Sequence, residues 1–156
     1  ALSHVPCHFS EIPEKMTGLY AWLKAACAGN AGRTHSEGPG ERQSAALDAY
    51  GAEALVNPLR LAAEFHNRIL ALYPFEGHNE DIAKLAAESV LLAFGLPLVP
   101  WSMSEQEYYD AGRAYLASIE TEDFDEEGYA AGTRVLEERL ETLVHRCQIV
   151  ELGATE

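Results

Sequence analysis

An all-α bundle of about six helices is the fold class this sequence predicts. Apolar residues recur at three- and four-residue spacing through the long segments, and capping residues stand in front of several of them. No run alternates polar and apolar residues as a half-buried strand does.

Ile12, Met16, Leu19, Leu23 and Cys27 form the first apolar stripe, with Pro13 acceptable in a first turn and Gly29 as a stop, so a helix is expected over Ile12 to Ala28. The following stretch, 29–42 (GNAGRTHSEGPGER), has four glycines and a proline without periodicity and reads as a loop or an insertion. Ser44 to Ala54 is a weaker helix broken by Gly51. Asn57 and Pro58 then supply a cap and a first-turn proline for a helix to Leu72, whose Leu61, Phe65, Ile69 and Leu72 line one stripe.

Asn79 reads as the cap of the next helix, with Glu80 and Asp81 in a first turn where acids complement the helix dipole. From Ile82 to Phe94 this helix is apolar nearly all round, which predicts the buried centre of the bundle. Ser104 and Glu107 form a capping-box pattern for a helix to about Ile119. Thr121 caps a last helix that carries Leu136, Leu140, Leu143 and Cys147.

At 156 residues the chain is expected to form one domain around one core. Its longest apolar run, around Val90 to Trp101, is cut by Gly95, Pro97 and Pro100 well short of a bilayer span, so no membrane association is expected. The first residues lack the basic start and long apolar stretch of a signal peptide. Cys7, Cys27 and Cys147 are an odd number without close spacing, which argues for reduced thiols in a cytoplasmic setting, with Cys27 and Cys147 at core positions. A formal net charge of −14 disfavours nucleic acid, because polyanion binding needs lysine and arginine to displace counterions.

The informative stretch is LYPFEGHNEDIAKL, Leu72 to Leu85. Together with its flanks, LAAEFHNRILALYPFEGHNEDIAKLAAESVLLAFGLPLVPW, it resembles the core of the Fic (filamentation induced by cAMP) family, whose signature reads H-x-F-x-[DE]-G-N-G-R-x-x-R. Tyr73 stands at the catalytic histidine, and Phe75 and Asn79 match outright. Glu76 fills an unspecified position, Gly77 stands at the metal-binding acid, His78 and Glu80 at the two glycines, Asp81 at the first arginine and Lys84 at the last. Ala62, His66 and Ile69 keep the spacing of a motif preceding the family's histidine. GLPLVPW, EQEYYDAGRAYL and EIPEKMTGLYAWL are similar to segments around the family's core, so the resemblance covers about Glu11 to Leu140 apart from the 29–42 segment. It implies a Fic-like helical bundle; with ten residues before Glu11, the family's target-docking flap hairpin is expected to be absent or reduced.

The resemblance also implies a chemistry, transfer of AMP from ATP to a protein hydroxyl, in which histidine is the base, a metal on the acid steadies the diphosphate, and the glycine-flanked asparagine cradles phosphate. The departures weigh against each step. A phenol titrates near pH 10 and an imidazole near 6.5, so tyrosinate as base at neutral pH costs roughly 5 kcal/mol, which makes Tyr73 a poor base. His78 and Glu80 put bulk and charge where glycines let backbone N–H groups approach an anion. Asp81 replaces attraction with repulsion, about 4 kcal/mol per charge pair at 4 Å and an effective dielectric near 20.

Three functional readings follow, one of them an α-helical interaction module whose likeness to the Fic family is accidental. The first is a degenerate Fic-fold protein that lacks AMP transfer and acts through a protein or a non-nucleotide small molecule. The alternative is an enzyme with repurposed chemistry, or nucleotidyl or phosphoryl-type transfer to a protein hydroxyl, in the same cleft, using Tyr73, His78 and Glu80. ATP and magnesium enter only if the family's activity persists. Glu80 and Asp81 also serve as ordinary dipole-complementing acids, and His66 as a hydrogen-bonded structural histidine supporting the loop. Lys84 is expected to pair with Glu80 at i+4. Glu76, His78 and Glu80 have the residue types of a metal site without its spacing, so no metal is expected. The Thr133 and Glu137 pair, similar to a family inhibitory motif, is a spacing common by chance.

Overall fold

The computed structural model describes residues 8–28, 57–119 and 126–153. Every regular element among them is helical. A 3-10 turn at Phe9–Glu11 leads into α1 (Ile12–Ala28), followed by α2 (Pro58–Leu72), α3 (Asn79–Ala93), α4 (Glu105–Ile119) and α5 (Glu126–Gly153). The all-α class is therefore correct. The helix expected at 44–54 and the Thr121 cap lie outside the described residues, as does most of the segment where a flap would stand; Phe9–Glu11 is helical turn, not strand.

Local chemistry fixes the ends. Asn57 Oδ1 accepts the N–H groups of Leu59 (2.9 Å) and Arg60 (3.3 Å) ahead of Pro58, while its Nδ2 donates to Glu137 on α5 at 2.7 Å. Ser104 and Glu107 form the full reciprocal box: the Glu107 carboxylate accepts the Ser104 N–H at 2.9 Å, and Ser104 Oγ accepts the Glu107 N–H at 3.2 Å. At the end of α3, Gly95 takes a φ of 76°, its N–H meets Leu92 O, and the Leu96 N–H reaches back to Leu91 O, closing a Schellman turn over two buried leucines.

The centre of the bundle is α2, which corrects the expectation that α3 would hold that place. Eleven of the fifteen residues of α2 are buried, among them Leu59, Ala62, Phe65, His66 and Ile69. In α3 the buried residues fall in a stripe, Asn79, Ala83, Ala87, Val90 and Leu91, while Leu85 is 63% and Leu92 52% exposed. Small residues on that stripe bring α3 close against α2, and α1 and α5 pack on α2 from other sides. Glu64 and Arg68 stitch the outer surface of α2 to its neighbours: Arg68 bonds Glu64 at 2.7 Å and lies 4.1 Å over the Trp22 ring of α1, and the Tyr129 hydroxyl of α5 donates to Glu64 at 2.6 Å. One apolar core extends from Leu19 to Val144. Cys27 and Cys147 are half-buried at its edge instead of inside it.

Where α2 ends, Tyr73 adopts the left-handed conformation (φ 47°, ψ 57°) that glycine ordinarily supplies at this place, and its N–H closes the helix on Ile69 O at 2.9 Å. A side chain with a Cβ is strained there by about 1 kcal/mol. Tyr73→Gly is expected to stabilise the fold by about 1 kcal/mol in urea denaturation; a destabilised variant would show that the phenol ring contributes more than the backbone loses.

Candidate functional site

The loop from Tyr73 to His78 joins the central helix to α3, and left-handed residues stand at both of its ends, Tyr73 and His78 (φ 61°). Asn79 holds it. The Asn79 side chain does not cap α3 as expected; it turns back into the loop, Oδ1 accepting the Phe75 N–H at 3.0 Å and Nδ2 donating to Phe75 O at 2.7 Å. With Asn79 buried at 2% exposure, these two bonds set the course of the chain across the N-terminus of α3. His78 occupies the cap position without a side-chain capping bond, and its Nδ1 approaches Asp81 Oδ2 at 3.2 Å on the open surface. A Cβ built on Gly77 meets nothing within 4 Å, so its missing side chain is not required by space.

The predicted residues divide between the two sides of α3. Phe75, half-exposed, joins Tyr20 of α1, Ile69 of α2 and Leu85 of α3 around an apolar groove of about 310 Å³. Glu80 and Lys84 face a second, more polar cleft of about 280 Å³, shared with Trp101, Met103, Glu105, Tyr108 and Tyr109. Tyr73, His78 and Glu80 are not joined by a hydrogen bond among the described residues, and Glu76 and Gly77 are exposed. No group of three or more His, Cys, Asp or Glu side chains among the described residues could hold a metal ion, so Glu76, His78 and Glu80 are not brought together as ligands.

Lys84 departs from the expected surface pair. Its Nζ lies 4.3 Å from the centroid of the Tyr108 ring, a cation over an aromatic face. Tyr108 is also the partner of His66: the two side chains meet at 2.9 Å through Nε2 and the hydroxyl. On the other side of the imidazole, Nδ1 lies 3.0 Å from Asn67 Oδ1, which can only accept. Nδ1–H therefore donates to Asn67 and Nε2 accepts the Tyr108 proton. His66 is a structural histidine as expected, but it braces α4 rather than the motif loop.

Burial, opposed by the hydrogen bond to Asn67 and aided by the charge of Lys84, lowers the His66 pKa to about 4, so the ring is neutral and stays an acceptor for Tyr108. Burial also drives the Tyr108 phenol up, reinforced by the negative charges of Glu80 and Asp81, which keeps its proton in place. Trp101 completes the assembly. Its ring stacks on His66 at 5.5 Å, and its Nε1–H donates to Glu88 at 2.9 Å.

Trp101, Glu105 and Tyr109 were not marked out by the sequence as site residues, although a tryptophan seven residues before a tyrosine pair is visible in WSMSEQEYY. No helix among the described residues is long and apolar enough to cross a membrane. A scan of the chain against protein-family models finds no match, and a search of curated proteins finds none.

Proposed function

We propose that this chain is a degenerate Fic-like protein that does not transfer AMP and acts by binding a partner through the surface around α3. The observation that carries the reading is the occupant of the α3 N-terminus. Glu80 and Asp81 bring two carboxylates to the end of the helix that a phosphate would otherwise use, and Glu80 faces the adjoining cleft.

The rest of the loop supports the same reading. Tyr73, at the position of the family's base, is exposed and ends a helix; Gly77 offers no carboxylate for magnesium; His78 is turned to Asp81. These residues do not fit a magnesium-bound nucleotide.

Incubation with labelled ATP and magnesium in the presence of candidate protein acceptors tests this directly. No transfer of AMP is expected. Metal-dependent labelling that disappears in Tyr73→Phe would overturn the proposal.

A further inference from the structure

We propose that the cleft beside the N-terminus of α3 binds an organic ammonium group, the protonated or alkylated amine of a ligand, in the seat that the Lys84 ammonium takes on Tyr108. This rests on the binding reading above and names the chemistry of what is bound.

The walls have the form such a ligand needs. Trp101 and Tyr108 stand nearly perpendicular, at 87° with ring centroids 6.4 Å apart, and Tyr109 is inclined to Tyr108 by 57° at 6.0 Å. The Tyr108 face carries a cation at 4.3 Å, and Trp101 and Tyr109 border the same cleft, so a cation seated on Tyr108 has further aromatic surface within the cleft, a setting that suits alkylated ammonium groups. The walls are also held before any ligand arrives. The indole N–H of Trp101 is engaged by Glu88 and the Tyr108 hydroxyl by His66, so neither polar edge needs to be satisfied by what enters.

The charge balance favours a cation. Glu80 and Glu105 bring two negative charges to a cleft that holds one positive charge, Lys84. Glu105 and Glu80 hold the Tyr109 phenol above its ordinary range, and Glu80 adds to the effect of burial on Tyr108, so the cleft keeps two neutral phenols beside its carboxylates. Lys84 itself supplies the independent observation: a cation is already seated on the Tyr108 face, 4.3 Å from its centroid, with open volume remaining. A ligand ammonium would displace a flexible side chain into solvent rather than reshape the walls.

The test is a titration with tetramethylammonium chloride followed at the Trp101 indole N–H by NMR, against sodium chloride at matched ionic strength. The parent should show a saturable shift, and Lys84→Met, which removes the competing cation, should bind about two- to fivefold more tightly, as expected from losing one cation–π contact. Lys84→Gln provides the same comparison should the methionine variant fold poorly. Glu80→Gln combined with Glu105→Gln should weaken binding. A short peptide carrying trimethyllysine distinguishes a partner side chain, which would bind more tightly than the free ion, from a small free amine, which would not. No shift beyond sodium chloride in either Lys84 variant, or a shift indifferent to the glutamate substitutions, would overturn the inference. Binding of ATP would overturn the proposed function and is read separately.

Discussion

Lowering the pH from 7.5 to 5.0 is expected to cost the native protein about 2 kcal/mol through His66 alone. Burial holds its folded pKa at about 4, below the 6.5 of the unfolded chain. Above pH 6.5 the ring is neutral in both states and contributes no pH dependence. Below that, the unfolded chain takes up a proton that the folded chain refuses, so stability falls with pH and the loss levels off at about 3 kcal/mol once the pH is under 4. His66→Gln removes this component and leaves the carboxylates. Urea denaturation at the two pH values should therefore show the parent losing about 2 kcal/mol more than the variant. Equal losses would mean that His66 is accessible to protons in the native state and that the Asn67, His66 and Tyr108 chain is not held as described.

Asn79→Ala should destabilise the protein by about 2 kcal/mol, because both hydrogen bonds to the Phe75 backbone are lost and a packed amide is replaced by a smaller group. The more specific effect is on the loop. With Asn79 gone, nothing else described holds the Phe75 N–H, and its hydrogen exchange should accelerate by at least about tenfold relative to amides in the middle of α2. An unchanged Phe75 amide would show that the two left-handed residues fix the loop without help.

Helix starts that depend on adjacent residues were legible. Asn57 with Pro58, and Ser104 with Glu107, announce α2 and α4 through bonds that span at most three positions. Asn79 carries the same residue type as Asn57 and does something else, because the left-handed turn at His78 aims its amide into the preceding loop. Apolar content likewise failed to identify the central helix. Leu85 and Leu92 count as core residues by type, yet the close fit of Ala83 and Ala87 against α2 turns those leucines outward.

The cleft was hidden for a related reason. Local spacing paired Lys84 with Glu80, but the competing partner, Tyr108, is 24 positions away in sequence and becomes available only when α4 packs beside the central helix. His66 and Lys84 were both singled out; the residue that unites them was not. The acids at Glu80 and Asp81, by contrast, could be read at once, since a charge at a helix N-terminus acts through the helix itself.

Calorimetric titration with ATP, with and without magnesium, tests the central claim most directly. No saturable heat is expected in either condition, since Glu80 and Asp81 meet the triphosphate with like charge and Gly77 gives magnesium no carboxylate. Saturable binding in the micromolar range would contradict it and would show that the cleft still receives a nucleotide.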